Sequence, residues 1–235
     1  MGSVRIGNAT CLVTGTNRGV GEVYARTLLA RGARKVYAAV RRPETVRIPG
    51  AEPVELDITA PDSVARAAAR CSDLTLLVNN SGLVRSTQPL DEQGIEAARA
   101  EMETNYFGTL AMCRAFAPVL GRNGGGALVN MLSVTSWFAS PRNGTYSASK
   151  AAAWLLTHAV RRQLRPQGTL VVGVHSWWID TDMSANVPDD EVKISPESVV
   201  GQVLDAVENG QEEVLTDDET REVKASLPHD LELYV

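Results

Sequence analysis

The chain has 235 residues with 44% hydrophobic and 22% charged side chains and a formal net charge of −5, which suits one α/β domain with a full core. Its arginines are spread along the chain and form no basic arm, so no nucleic-acid footprint is expected. No apolar run reaches membrane-spanning length and the first residues carry no signal-peptide pattern, so neither a membrane partner nor secretion is expected.

In chain order, the apolar run Thr10-Cys11-Leu12-Val13-Thr14 leads straight into Gly15-Thr16-Asn17-Arg18-Gly19-Val20-Gly21 and then into a helical stretch from Glu22 to Leu29. Strand, glycine-rich turn and helix form the arrangement in which backbone N–H groups at a helix start face a pyrophosphate. The spacing is G-x-x-x-G-x-G, not G-x-G-x-x-G, and an ordinary tight turn is the alternative; the position at the head of a βαβ unit favours the nucleotide. Strands are expected near 10–14, 35–40, 52–56, 74–78, 127–132, 169–175 and 213–216. Helices are expected near 19–31, 61–70, 91–103, 105–122, 145–165 and 196–209, the last capped by Ser195 ahead of Pro196. The runs Leu74–Val78 and Leu170–Val174 are apolar on both faces, as parallel strands buried on both sides should be. This alternation predicts one doubly wound domain over residues 1–235, with a seven-stranded, mostly parallel sheet, helices on both faces and a short tail at 217–235. Its ligand should bind at the carboxyl ends of the strands.

Cys11, Cys71 and Cys113 are scattered and read as reduced core thiols in a cytoplasm. His158, His175 and His229 are equally dispersed, the first two reading as packing residues, and no metal site is expected. Tyr146-Ser147-Ala148-Ser149-Lys150 opens the fifth helix and puts a phenol and an ammonium four residues apart, on one helical face. An adjacent ammonium favours the phenolate and brings a tyrosine toward a working range as proton donor or acceptor. By itself Y-x-x-x-K also occurs by chance on surface helices.

Taken together, TGTNRGVG at 14–21, Asp57, NNSG at 79–82, Asn105, Ser133, YSASK at 146–150 and IDTDM at 179–183 resemble the short-chain dehydrogenase/reductase family, in family order and over roughly residues 8 to 216. The resemblance implies a Rossmann-type fold. It implies that Tyr146 donates a proton to a carbonyl oxygen as hydride arrives from a nicotinamide, that Lys150 lowers the Tyr146 pKa and holds the ribose, and that Ser133 orients the carbonyl. Asn105, opening a helix, would hold a water linked to Lys150. Read alone, Ser133 could be a turn serine and Asn105 a simple helix cap. The same resemblance implies cofactor contacts from Gly15, Thr16, Asn17, Arg18, Gly19, Val20, Gly21, Asp57 and Ile58, from Asn80, Ser81 and Gly82 beneath the adenosine ribose, and from Ile179 and Thr181. It implies homodimers or homotetramers built through the helices near 105–122 and 145–165, where Ala148, Ala151 and Ala152 allow close approach.

After the second strand, Arg41-Arg42 stand where an NAD site would carry an acid, and with Arg18 they suit the 2′-phosphate of NADP(H). Two departures from the family pattern stand out. Ser81 replaces the usual alanine, and Ser176-Trp177 replaces the usual Pro-Gly. The Trp177 indole either lines the substrate pocket or packs outward against a helix. With Leu83, Val84, Val134, Trp137, Asn143 and Met183 as further walls, the pocket suits a small hydrophobic ketone or aldehyde, or the corresponding alcohol. An NADPH-dependent carbonyl reductase leads. A catalytically silent NADP(H)-sensing protein is the alternative, and a nucleotide-fold methyltransferase, which has no use for Tyr146 and Lys150, comes third.

Overall fold

The computed structural model describes residues 4–140, 142–188 and 190–228. Seven strands, β1 (Thr10–Thr14), β2 (Lys35–Val40), β3 (Glu52–Glu55), β4 (Leu76–Asn79), β5 (Ala127–Met131), β6 (Leu170–His175) and β9 (Glu213–Leu215), form one sheet in the order β3-β2-β1-β4-β5-β6-β9. Every ladder in it is parallel. A fully parallel sheet needs a crossover between neighbours and must be covered on both faces. That is why strands such as β1, β4 and β6 are buried along their whole length.

One face is covered by α1 (Gly19–Ala30) and α6 (Pro196–Glu208), which pack Tyr24, Leu28, Val203 and Leu204 against β1, β4 and β6. The other is covered by α2 (Pro61–Arg70), α4 (Thr109–Arg122) and α5 (Gly144–Leu164), which bring in Val64, Phe116, Leu120 and Leu156. Strand β1 lies between β2 and β4, so crossovers leave it in opposite directions and a crevice opens at the carboxyl ends of β1 and β4.

Several boundaries differ from the sequence expectation. Strand β4 begins at Leu76, because Leu74 and Thr75 serve as a bend: the Leu74 N–H donates to Cys71 and the Thr75 N–H to Thr10. The third and fourth helices are one continuous rod, with α3 (Gly94–Glu101) passing through a π-helical turn at Met102–Gly108 into α4. Asn105 therefore sits inside that turn and does not open a helix; π-turns within α-helices are frequent at functional sites. A second, two-stranded parallel ribbon, β7 (Trp178–Ile179) with β8 (Lys193–Ile194), anchors the segment after β6. The expected tail is partly helical, as α7 (Asp218–Ser226), while His229 and the last residues lie outside the described residues. Ser195 caps α6 as expected, its Oγ accepting from the Ser198 N–H at 3.1 Å.

A buried polar seam ties α5 to the sheet. Asn79 Nδ2 donates to Asn130 Oδ1 at 2.8 Å, Asn130 Nδ2 to Thr157 Oγ1 at 2.9 Å, and Thr157 Oγ1 to the Ala153 carbonyl at 2.8 Å. Asn130→Ala removes the middle of this chain and leaves Asn79 without its oxygen partner. Urea unfolding should show a loss of about 1–3 kcal/mol, the cost of an orphaned buried donor; an unchanged midpoint would contradict the assignment.

Candidate active site

The turn after β1 can take only glycines at its critical positions. Gly15 (φ +73°) and Gly19 (φ +57°) have left-handed backbones. A methyl group at Gly21 would collide with the Gly15 carbonyl and sit 2.6 Å from Asn80 Nδ2. The turn is fastened to β4 across the crevice. Thr14 Oγ1 accepts from the N–H groups of both Asn80 and Ser81 at 2.9 Å, and Asn80 Nδ2 donates to the Thr14 carbonyl at 2.9 Å. The hydroxyl of Ser81, the unusual residue of NNSG, faces the Gly15 backbone. Arg18 is the N-cap of α1 and makes no side-chain bond to its amides, so the helix start presents donors flanked by exposed Asn17 and half-buried Val20. Thr16 is buried with its hydroxyl unpartnered among the described residues. Thr181 packs over Gly19 from the far side, and Ile179 anchors that segment on the core.

The second and third strands deliver their expected residues to the same rim. Asp57 Oδ1 accepts from the Thr59 hydroxyl (2.7 Å) and N–H (2.9 Å). Those bonds, helped by the charge of Arg41, hold its carboxyl below the usual range. Ile58 is buried and packs on Gly108, inside the π-turn. Arg18 is aimed differently from the expectation: its guanidinium pairs with Asp182 at 3.0 Å, with both side chains about 70% exposed. A pair so open to water is weak and readily exchanged.

The helix α5 carries Tyr146 and Lys150 one turn apart, next to the end of β5. Lys150 is buried, and its Nζ donates to the Met131 carbonyl at 2.8 Å and stands 5.7 Å from the Tyr146 ring centre. Burial lowers its pKa to about 8. Tyr146 behaves opposite to the sequence expectation: burial pushes the phenol above its ordinary value, the Ser133 hydroxyl offsets part of that, and the Glu101 carboxylate adds to it. Desolvation dominates, and the phenol stays protonated. Ser133 caps a short 3-10 turn, its Oγ meeting the Thr135 N–H at 3.2 Å and hydroxyl at 3.1 Å.

The Asn105 side chain is fully engaged with protein. It clamps Leu83 through both its N–H (2.8 Å) and carbonyl (2.8 Å), and it donates to Ser149 Oγ at 2.8 Å. These three bonds lock the segment after β4 onto α5. Gly82 lies between, where a Cβ would meet Asn105 Oδ1 at 3.4 Å and Lys150 Nζ at 3.7 Å, ordinary contact distances.

Of the expected pocket walls, Leu83, Val84 and Trp177 are half-buried and Met183 is exposed. Val134 is buried, as is Asn143, whose Oδ1 is unpartnered among the described residues. Trp137 is a core residue and not a wall: its ring is stacked on His175 with centres 4.0 Å apart, and Lys224 lies over it. Phe138, its neighbour, takes the outer place and stacks with Trp177 at 6.3 Å.

Three supporting residues escaped the sequence reading. His175 meets the Ser133 carbonyl through Nδ1 at 2.9 Å, and burial holds its pKa near 4, so the neutral ring donates there. Glu101 is fully buried, accepts from the Arg85 N–H at 2.7 Å and has no partner for its second oxygen among the described residues. Asp217 accepts from the Trp177 N–H at 2.9 Å. A histidine closing the apolar run Leu170–Val174 was the only sequence signal for the first, and Glu101, set between Arg99 and Glu103, carried none. Among the described residues no cluster of three metal-binding side chains occurs.

Comparison with known proteins agrees with this geometry. The family model described as short chain dehydrogenase matches residues 9–192. The chain belongs to the short-chain dehydrogenase family. A short chain dehydrogenase from Burkholderia cenocepacia J2315, crystallised in complex with NADP, is 46% identical with a TM-score of 0.93, over 97% of this chain and 96% of that one. An NADPH-bound carbonyl reductase from chicken fatty liver is 26% identical with a TM-score of 0.78, over 87% of this chain and 93% of that one. A short chain dehydrogenase of Monascus purpureus is 33% identical over 196 residues, covering 76% of this chain and 67% of the relative.

The glycine turn gives a direct test. Gly21→Ala should cost about 1–3 kcal/mol through overpacking against the Gly15 backbone, lowering the melting temperature by roughly 2–4 °C per kcal/mol for a chain of this size. A melting temperature equal to that of the unmodified protein would show that the turn has room to spare.

Proposed function

We propose that this protein is an NADPH-dependent oxidoreductase that reduces a ketone or aldehyde to an alcohol, reversibly, with Tyr146 as the proton donor. The observation that carries the reading is the convergence of Ser133, Tyr146 and Lys150 at the carboxyl end of the sheet, beside the glycine turn. NADP in the Burkholderia cenocepacia enzyme and NADPH in the chicken carbonyl reductase support the cofactor.

The residues present fit the cofactor. The side-chain-free cradle at Gly15, Gly19 and Gly21 and the open amides of α1 suit a pyrophosphate. Arg41 suits a 2′-phosphate and Asp57 an adenine edge, with Asn80, Ser81 and Gly82 under the ribose and Ile179 and Thr181 beside the carboxamide. Arg18 would join Arg41 by releasing Asp182. When bound, NADPH supplies the hydride.

Ser133 and Tyr146 hold the substrate carbonyl by its oxygen. As the carbonyl carbon accepts the hydride, the phenolic proton of Tyr146 passes to that oxygen, giving the alcohol and a tyrosinate. Burial keeps the phenol in its protonated, donor form but makes it a weaker acid, and the Lys150 ammonium offsets that by stabilising the anion as it develops. The reverse reaction runs the same steps backward. Asn105 holds Leu83 and Ser149 in register and would hold the water linked to Lys150.

Tyr146→Phe removes the phenolic hydroxyl that supplies the proton. Turnover should fall by about 10²–10⁴, with NADPH binding measured by fluorescence unchanged. Retention of half the turnover would sink the assignment, and a wild-type protein that binds NADPH but reduces no carbonyl would favour the catalytically silent reading.

The pH profile carries a sign. Lys150 has its pKa depressed from 10.5 to about 8, so its ammonium is present below pH 8 and lost above it, while the Tyr146 phenol stays protonated throughout. The kcat/KM for reduction should therefore be level below about pH 8 and decline above it. A profile that rises through that region would contradict the role given to Lys150. Assembly through α4 and α5 fits the exposed small residue Ala148 and Leu155, which is 63% exposed.

A further inference from the structure

The bend after β6 has neither proline nor glycine to shape it, only Ser176-Trp177. It is held from two sides. On one, the Ser176 carbonyl accepts from the Val134 N–H at 3.1 Å, next to Ser133. On the other stands a single carboxylate, Asp217. Its Oδ2 accepts from the Trp177 N–H at 2.9 Å, the Thr216 hydroxyl at 2.7 Å and the Ser176 hydroxyl at 3.4 Å, while its Oδ1 accepts from the Thr220 N–H at 2.7 Å and so caps α7. Thr216 is itself bound to the His175 carbonyl through its N–H at 3.1 Å.

The result of this fastening is aromatic. The Trp177 indole stacks with Phe138 at 6.3 Å and 23° between planes, and meets Trp178 edge-on at 6.2 Å. Phe138 and Trp177 are both half-buried. One follows Ser133 by five residues and the other leaves the strand beside it. The pair therefore forms an apolar wall next to the group that orients the carbonyl.

We propose that Asp217 is a specificity-determining positioning residue: by holding the Ser176-Trp177 bend, it keeps Trp177 against Phe138 as a wall that favours carbonyls bearing a flat aromatic group over small aliphatic ones. The substrate part of this inference rests on the reductase reading. The part about the bend does not. Asp217 touches neither cofactor nor substrate and acts through Trp177.

The test compares Asp217→Ala with Asp217→Asn. The alanine removes both acceptors. The asparagine has one acceptor oxygen, which turned toward Trp177 keeps the bend and uncaps α7, and turned toward the Thr220 N–H does the reverse; the Trp177 emission reports which. Only the asparagine keeps an acceptor for Trp177. The ratio of kcat/KM for benzaldehyde to that for propanal should fall about tenfold in Asp217→Ala, a contact-scale loss of discrimination. It should stay near the wild-type ratio in Asp217→Asn, with NADPH binding unchanged in both. The emission of Trp177, read as each protein minus its Trp177→Phe counterpart, should shift to the red and become more open to acrylamide in the alanine variant only. A folded alanine variant with the wild-type ratio overturns the specificity claim, and an equal fall of the ratio in both variants with the Trp177 emission shifted in the alanine variant only assigns the effect to the cap of α7. If the wild-type protein reduces neither aldehyde, the reductase reading fails and the substrate claim falls with it. The Trp177 emission then decides by itself whether Asp217 holds the bend.

Discussion

The seating of α5 on the end of β5 is the constraint on which the rest of the molecule depends. Lys150 reaches the Met131 carbonyl, Ser149 receives Asn105, and Thr157 receives Asn130. These bonds lie on one side of one helix, in a region closed to water. Each buried polar group costs free energy unless its partner is in place, so the helix has a single rotation and height that satisfies them all. Tyr146, one turn before Lys150, is placed by that fit. Ser133 is placed independently from below, through His175 and the neighbouring bend. Two separately braced elements thus meet at the point where a carbonyl oxygen would sit, which is the preorganisation that catalysis by positioned hydrogen bonds requires.

Electrostatics at this point follow from burial more than from pairing. The phenol is pushed up and the ammonium down, each toward its neutral form. Glu101 reinforces the trend at Tyr146, since a buried carboxylate with one bonded oxygen resists a second negative charge nearby. For a tyrosine that gives up its proton only as charge develops on the substrate oxygen, a high resting value is compatible with the role.

Periodicity and turn chemistry made the sheet and most helices legible in the sequence. Strands β1, β2 and β6 stand where continuous apolar runs predicted them, and Gly15, Gly19 and Gly21 lie in the turn that their spacing announced. The π-turn was not legible: one extra residue within a helical pattern leaves no compositional mark, and Asn105 read naturally as the start of a helix. Ring direction was equally hidden. Trp137 and Phe138 are adjacent aromatic residues, and only the tertiary fold turns the first onto His175 and the second toward Trp177. The aim of Arg18 at Asp182 depends on the segment after β6, a contact across 164 positions that local pattern cannot carry.

The central claim is that this site passes a hydride to a carbonyl carbon while Tyr146 supplies the proton. The most direct measurement uses NADPH carrying deuterium at both C4 positions, an aromatic aldehyde, and mass spectrometry of the product. The account predicts an alcohol with one deuterium on the carbinol carbon from the wild-type protein and almost none from the Tyr146→Phe variant. Alcohol formed without that label, or equal labelled product from both proteins, would contradict it.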